Sequence, residues 1–421
     1  MAASHRIFEG FVGSFTPTGS HSTASTSDIA CWWRTPDAYR HSGVPAVNGL
    51  HLLGRAGQDS LVHQNRGHRE QARYALIDTA SGHSWGVCLG VDGLFGEPPR
   101  ETYELLGWQP EEIEPEGWIG DRVWLVPRDE TLGPWLLEDV NSLERPAGSG
   151  SLVLTGLDDY EGPPEGYREA VRVHNEYRPL GVCREFARIL PAERAAAPLI
   201  LRGLSPSDRL RRALAQGTRR AAALEEAALE IRDDSGEPFA TRLLWTSVSA
   251  WRSSSHGTDL IDLELDGQHP GPVPEHARPL WQQWMNGPPR TPGAWAELGT
   301  RQRLAWFDLV RERPPRAHPD RPAGHSYELD GRHVTDAPGL YLALGEAING
   351  PGGYFGTCLA AIDDCLRGAF GHTSPATLLW HNSTTAREHL SRMLTPGGRP
   401  YDLFAEALST LAEGGMHVTS A

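Results

Sequence analysis

The sequence predicts an α/β protein in two parts: a three-stranded parallel sheet packed with helices over residues 324–421, preceded by a β-rich to α/β region over 71–310. Three observations lead there. After residue 324, short apolar runs alternate with segments of helical period, the pattern of strands joined by helical crossovers. Before it, apolar and polar residues alternate around glycine turns, as in half-buried antiparallel strands. Between the two lies RERPPRAHPDRPAGH (311–325), rich in Pro and Arg with no apolar residue beyond alanine, which marks 311–323 as a linker. A chain of 421 residues is long enough for two or three domains of ordinary size.

Taken in order, residues 1–70 contain TPTGSHSTASTS, show no sustained period of 2 or 3.6, and read as a poorly ordered segment. From Tyr74, YALIDTASGHSWGVCLG predicts a hairpin about an Ala-Ser-Gly turn, and WLVPRDETLGPWLLEDVNSL (124–143) repeats the scheme around Gly133. LVLTGL (152–157) and LILRGL (199–204) add further strands, so small β-rich units echo weakly along the region. Residues 207–232 predict the clearest helix, with a Ser/Asp start signal and Leu210, Leu214, Ala221 and Leu224 at helical spacing. Trp245, Trp251, Trp281, Trp284, Trp295 and Trp306 are expected as core or interface anchors. Past the linker, SYEL (326–329) is a strand, and Asp336 opens a helix carrying Leu340, Leu344 and Ile348. A helix over about 358–368 turns Leu359, Ile362 and Leu366 inward and Asp363 and Asp364 outward. ATLLW (376–380) is a buried strand, 385–394 and 401–413 are helices, and MHVTS is a last strand.

Composition narrows the function. All 39 basic residues are arginine, usage typical of a GC-rich bacterial genome, and 54 acidic residues leave a net charge of −15. Phosphate binding requires a positive surface, so direct nucleic-acid binding is not expected and a basic protein partner is favoured. Mean hydropathy is −0.42, and the lack of a long apolar run argues against a membrane-spanning helix. The five cysteines are odd in number and form no CxxC pair, and MAASHRIFEGF lacks the basic and apolar parts of a secretion signal, so a cytoplasmic protein is expected. GxSxG, P-loop, HExxH and GxGxxG motifs are absent. The 18 histidines are scattered, their closest trio (His51, His63, His68) falling in the N-terminal segment. No catalysis, cofactor or metal is expected.

Gly-Tyr-Phe-Gly-x-x-Leu at 353–359, Asp-Asp-Cys-Leu at 363–366 and the LLW strand, in that order, resemble the barstar family, small intracellular inhibitors of barnase-type ribonucleases. The resemblance covers 324–421. It implies a loop and an acidic helix that plug a nuclease active site, with carboxylates standing in for RNA phosphates. On this resemblance the partner-binding positions are Tyr354, Gly356, Leu359, Asp363, Asp364 and Gly368. Tyr354 would stack at the nuclease mouth, Leu359 would pack, and Asp364 would enter the phosphate site, while Cys365 matches a core cysteine. Three positions depart from the family. Ala360 stands where one of two principal carboxylates is found, Arg367 lies where it neutralises the two aspartates, and Ser409 stands where a later helix adds an acid.

The expected function is that of a non-catalytic inhibitor or immunity protein masking a basic ribonuclease or toxin domain, with 71–320 as a second contact surface or tether. The alternative is an interaction or scaffold protein whose barstar-like domain no longer binds a nuclease. Residues 324–421 are expected to fold alone, with proteolysis falling in the linker.

Overall fold

A computed structural model describes residues 73–96, 100–111, 122–144, 150–158, 162–189, 198–216, 224–268, 272–313 and 319–420. The expected N-terminal segment, 1–70, and positions 314–318 of the expected linker lie outside the described residues. Both expected hairpins form. The first joins β1 (Tyr74–Asp78) to β2 (Ser84–Cys88), and the Asp78 carboxylate holds the turn by accepting the Ala80 and Ser81 N–H groups at 3.1 Å. After β3 (Gly90–Asp92) come β4 (Glu101–Leu106), β5 (Gln109–Pro110), β6 (Arg122–Pro127), β7 (Trp135–Glu144), β8 (Ser151–Asp158), β9 (Val171–His174), β10 (Pro179–Val182) and β11 (Glu185–Ile189). β6 and β7 are the second expected hairpin. The chain then returns through β12 (Leu199–Pro206), α1 (Asp208–Ala215), β13 (Leu224–Arg232), β14 (Pro238–Ser253) and β15 (Ile261–Gln268).

These strands form two barrels, one inserted in the other. The first sheet runs β15-β14-β13-β1-β2-β12-β3, and an extra pairing of β15 with β12 closes it. The second runs β11-β4-β8-β7-β6-β9-β10-β5. Because β4 and β5 follow one another along the chain, as do β10 and β11, its two ends meet and close it as well. Its core of Tyr103, Trp135, Phe186 and their aliphatic neighbours is its own.

The helix expected over 207–232 is corrected to a short helix followed by a strand. Ser207 does cap α1, its hydroxyl accepting the Leu210 N–H at 3.3 Å, but the helix stops at Ala215, and Leu224–Arg232 is β13. β13 lies between β1 and β14 with Ala227, Ala228, Leu229 and Ile231 buried. A ladder on each edge and burial of these side chains outweigh helix propensities worth only tenths of a kcal/mol per residue.

Two helices, α2 (Arg278–Met285) and α3 (Thr300–Glu312), follow. Trp281, Trp284, Trp295 and Trp306 enter the core, with the rings of Trp284 and Trp306 meeting edge to face at 5.2 Å. Trp245 and Trp251 remain exposed on β14, whose residues from Ser249 to Ser253 all face solvent.

The C-terminal region is the expected alternation of strands and helices: β16 (Ser326–Asp330), α4 (Ala337–Asn349), α5 (Leu359–Leu366), β17 (Ala376–His381), α6 (Ser383–Leu390), β18 (Met393–Leu394), β19 (Pro400–Tyr401), α7 (Leu403–Glu413) and β20 (Met416–Ser420). β16, β17 and β20 pair in parallel in that order, Tyr327 opposite Leu378 and Leu378 opposite Val418. The helix expected over 385–394 ends at Leu390, because Met393 and Leu394 pair with Tyr401 and Pro400. One continuous core runs from Leu76 in the first barrel through Trp306 on α3 to Leu340, Leu378 and Leu411 in this region.

Candidate partner-binding face

The segment 350–371 is built on α4. Asp336 caps that helix, its Oδ1 accepting the Gly339 N–H at 2.8 Å, and Pro338 occupies a first-turn position that has no amide partner to lose. Ten residues of α4 are buried, among them Leu340, Leu344 and Ile348, so the helix is a core element and the chain leaving it must cross its end. Asn349 fixes that crossing: its side-chain amide donates to the carbonyls of Tyr354 at 2.7 Å and Phe370 at 3.0 Å, tying together the loops on either side of α5. Gly356 makes the turn into α5. Its φ of +87° suits glycine, and a Cβ there would lie 2.6 Å from the Ile362 nitrogen.

α5 starts at Cys358, whose carbonyl accepts the Ile362 N–H at 2.9 Å. Leu359, Ile362, Cys365 and Leu366 face the core, as the spacing predicts. Burial, helped by the neighbouring Asp364 charge, pushes the Cys365 thiol up to about 12, which keeps it protonated and inert. On the opposite side the Asp364 side chain is 74% exposed and that of Asp363 43%. Arg367 reaches back over both: its Nη2 bonds the Asp363 carboxylate, and its Nη1 lies 3.9 Å from Asp364 Oδ1. The chain then turns through Gly368 (φ +108°) and Ala369 (φ +68°). Asp320 braces that turn, its two oxygens accepting the Ala369 and Gly371 N–H groups at 2.9 Å each.

The six residues expected from the sequence therefore share one loop-helix-loop segment but play different parts. Asp363 and Asp364 point outward. Tyr354 is half-buried with its ring 6.2 Å from that of Phe370, and burial pushes its phenol pKa up. Leu359 is 6% exposed and belongs to the core, whereas Gly356 and Gly368 shape the backbone. Ala360 is half-buried on α5 and supplies no charge. Ser409, on α7, donates its hydroxyl to Glu413 at 2.9 Å, and the acids of that helix are Glu406 and Glu413. Among the described residues no group of three or more His, Cys, Asp or Glu side chains is arranged to hold a metal ion.

Sequence reasoning missed the supports. Asp320 lies in a stretch whose composition reads as a spacer, and its bonds reach 49 and 51 residues along the chain. On the α4 side, Arg303 of α3 donates to Asp336 at 3.1 Å, to the Thr335 hydroxyl at 2.9 Å and to the Ala296 carbonyl at 2.6 Å, while Thr300 donates to Asp336 at 2.8 Å. Glu346 accepts the Gly293 N–H at 2.8 Å. The second barrel grips the other flank: His174 Nε2 donates to the Pro396 carbonyl at 2.9 Å, and the Glu176 carbonyl accepts the Leu394 N–H. Only long-range folding brings these groups together, and no local motif announces them.

Comparison with known families agrees with this architecture. The family model for barstar (barnase inhibitor) matches residues 324–396, which include β16 through β18 and the whole α5 face. Searches of curated proteins and of solved structures found no match. The matched segment, with the three parallel strands and their helices, shows a barstar-like domain in the C-terminal region of this chain.

Proposed function

We propose that the chain is a non-catalytic inhibitor, acting in the cytoplasm, whose barstar domain masks a ribonuclease-like toxin or a related basic protein through the α5 face. The observation that carries this reading is Asp364: a carboxylate 74% exposed on a helix whose other side is fixed in the core, inside the segment matched by the barnase-inhibitor family. An exposed carboxylate on a rigid support suits the capture of a cationic site, because little ordering entropy is lost on binding. The overall charge of −15 supports the reading by favouring encounter with a basic partner, an effect that salt screens. The barrels then act as a tether and brace, holding α4 from α3 and the β18–β19 hairpin from β9.

The test is inhibition of a barnase-type ribonuclease by the full chain and by Asp364→Ala. Removing a charge at the centre of such an interface costs about 2–5 kcal/mol, a range that comes from the barnase–barstar pair itself. Equal inhibition by the two proteins, both folded, moves the assignment to an assembly or scaffold role. The pairing of Arg367 with Asp363 and the alanine at 360 favour that second reading.

A further inference from the structure

The α5 face is not uniformly acidic. Between Leu359 and Gly371 it carries Asp363, Asp364 and Arg367, and the arginine, 72% exposed, spans both carboxylates from one helical turn away. The nearby Asp320 carboxylate is engaged by the Ala369 and Gly371 amides. The positive charge of Arg311 on α3 also acts on the Tyr354 phenol. A pocket shaped for phosphates would therefore meet a guanidinium alongside each carboxylate it captures.

We propose that Arg367 is a specificity-determining residue of this face: it holds the carboxylates back from pockets that offer cations alone, and favours a partner whose cation for Asp364 sits beside an anion for Arg367. This rests on the reading of α5 as the binding face. The physical basis is like-charge rejection. A cationic pocket that takes Asp364 must either break the Arg367 contacts or accommodate a positive charge, and unfavourable juxtaposition is how interfaces exclude wrong partners. Because Arg367 is exposed, its contacts stabilise the fold little, so its removal alters recognition without altering the helix.

Barnase is the probe, and its affinity for the full chain at low and moderate salt is the readout for wild type, Arg367→Ala, Arg367→Lys, Asp364→Ala and the Asp364→Ala/Arg367→Ala pair. The expected result is an Arg367→Ala protein that binds about tenfold more tightly, an Arg367→Lys protein close to wild type, and no gain from Arg367→Ala once Asp364 is gone. Binding by Arg367→Ala alone, with none detectable for wild type, supports the proposal equally. Measurable wild-type binding that Arg367→Ala leaves unchanged overturns the role of Arg367 and leaves the inhibitor reading standing. A gain that persists without Asp364 shows a general charge effect and also overturns it. Absence of binding by both wild type and Arg367→Ala overturns the inhibitor reading together with the role built on it.

Discussion

Replacing Asp336 by alanine perturbs the point where the brace and the barstar domain meet. The carboxylate is 5% exposed and holds three donors from two regions: the Gly339 amide of α4, and the Arg303 guanidinium and Thr300 hydroxyl of α3. Loss of the helix cap costs about 1 kcal/mol. Leaving Arg303, itself 6% exposed, without its counter-charge adds about 3–5 kcal/mol. The expected total of about 4–6 kcal/mol is a large part of the stability of a domain, about 5–15 kcal/mol. Asp336→Asn retains the capping oxygen and should cost about half as much. Urea unfolding followed by tryptophan fluorescence reads this well, since Trp306 on α3 and Trp380 on β17 lie on either side of the contact. In a fragment of 319–421, which lacks Arg303 and Thr300, Asp336→Ala should cost only the cap. A loss below about 2 kcal/mol in the full chain, or equal losses in chain and fragment, would refute the view that this buried pair unites the two regions.

Other outcomes follow from single groups. His372 is fully buried between the Tyr327 hydroxyl at 3.4 Å and the Ser374 hydroxyl at 3.2 Å, and burial lowers its pKa from the ordinary 6.5. The unfolded chain thus binds a proton more readily than the folded one. Stability should be complete above about pH 6.5 and decline as pH falls below it, with a shallower decline in His372→Gln, as measured by urea midpoints at pH 7.5 and 5.5. Gly356→Ala combines a positive φ with a clash against the Ile362 backbone; it should cost about 2 kcal/mol or more in thermal or chemical unfolding and weaken inhibition, and a neutral result would mean that the turn is not held as described. Asp364→Ala should change stability by less than about 0.5 kcal/mol in the same assay, so a larger loss would assign it a structural part.

Much of the barstar domain was legible because its signals are local. Leu359, Ile362 and Leu366 at helical spacing put Asp363 and Asp364 outside, and Asp336 before an apolar run marked a helix start; both readings match the structure. The barrels were legible only as hairpins. Their closure depends on pairs such as Leu199 with Leu265 and Glu185 with Leu106, which join residues far apart in sequence and leave no periodic trace. The error at 224–232 has the same origin: Ala, Leu and Glu favour a helix on their own, and only β1 and β14 make that segment a strand. At the candidate site, the outward acids could be read from the chain, but Asn349, Asp320 and Arg303 could not, since each acts through groups brought near by folding. Composition suggested a linker over 311–323, but composition is silent about whether the segments on either side touch. Arg303 and Asp336 show that they do.

The insertion of one barrel in the other sets a timetable for synthesis. β3 ends at Asp92 and pairs with β12, which begins at Leu199, so the ribosome must deliver the whole second barrel before the first can close. The inserted barrel has its own core and can form early as a unit, which shortens the loop that the outer barrel must close. α2 and α3 emerge next, and α5 and β20 come last. A chain interrupted anywhere before Leu359 therefore lacks α5 altogether, and only molecules whose translation has run nearly to the end carry the outward face of Asp363 and Asp364.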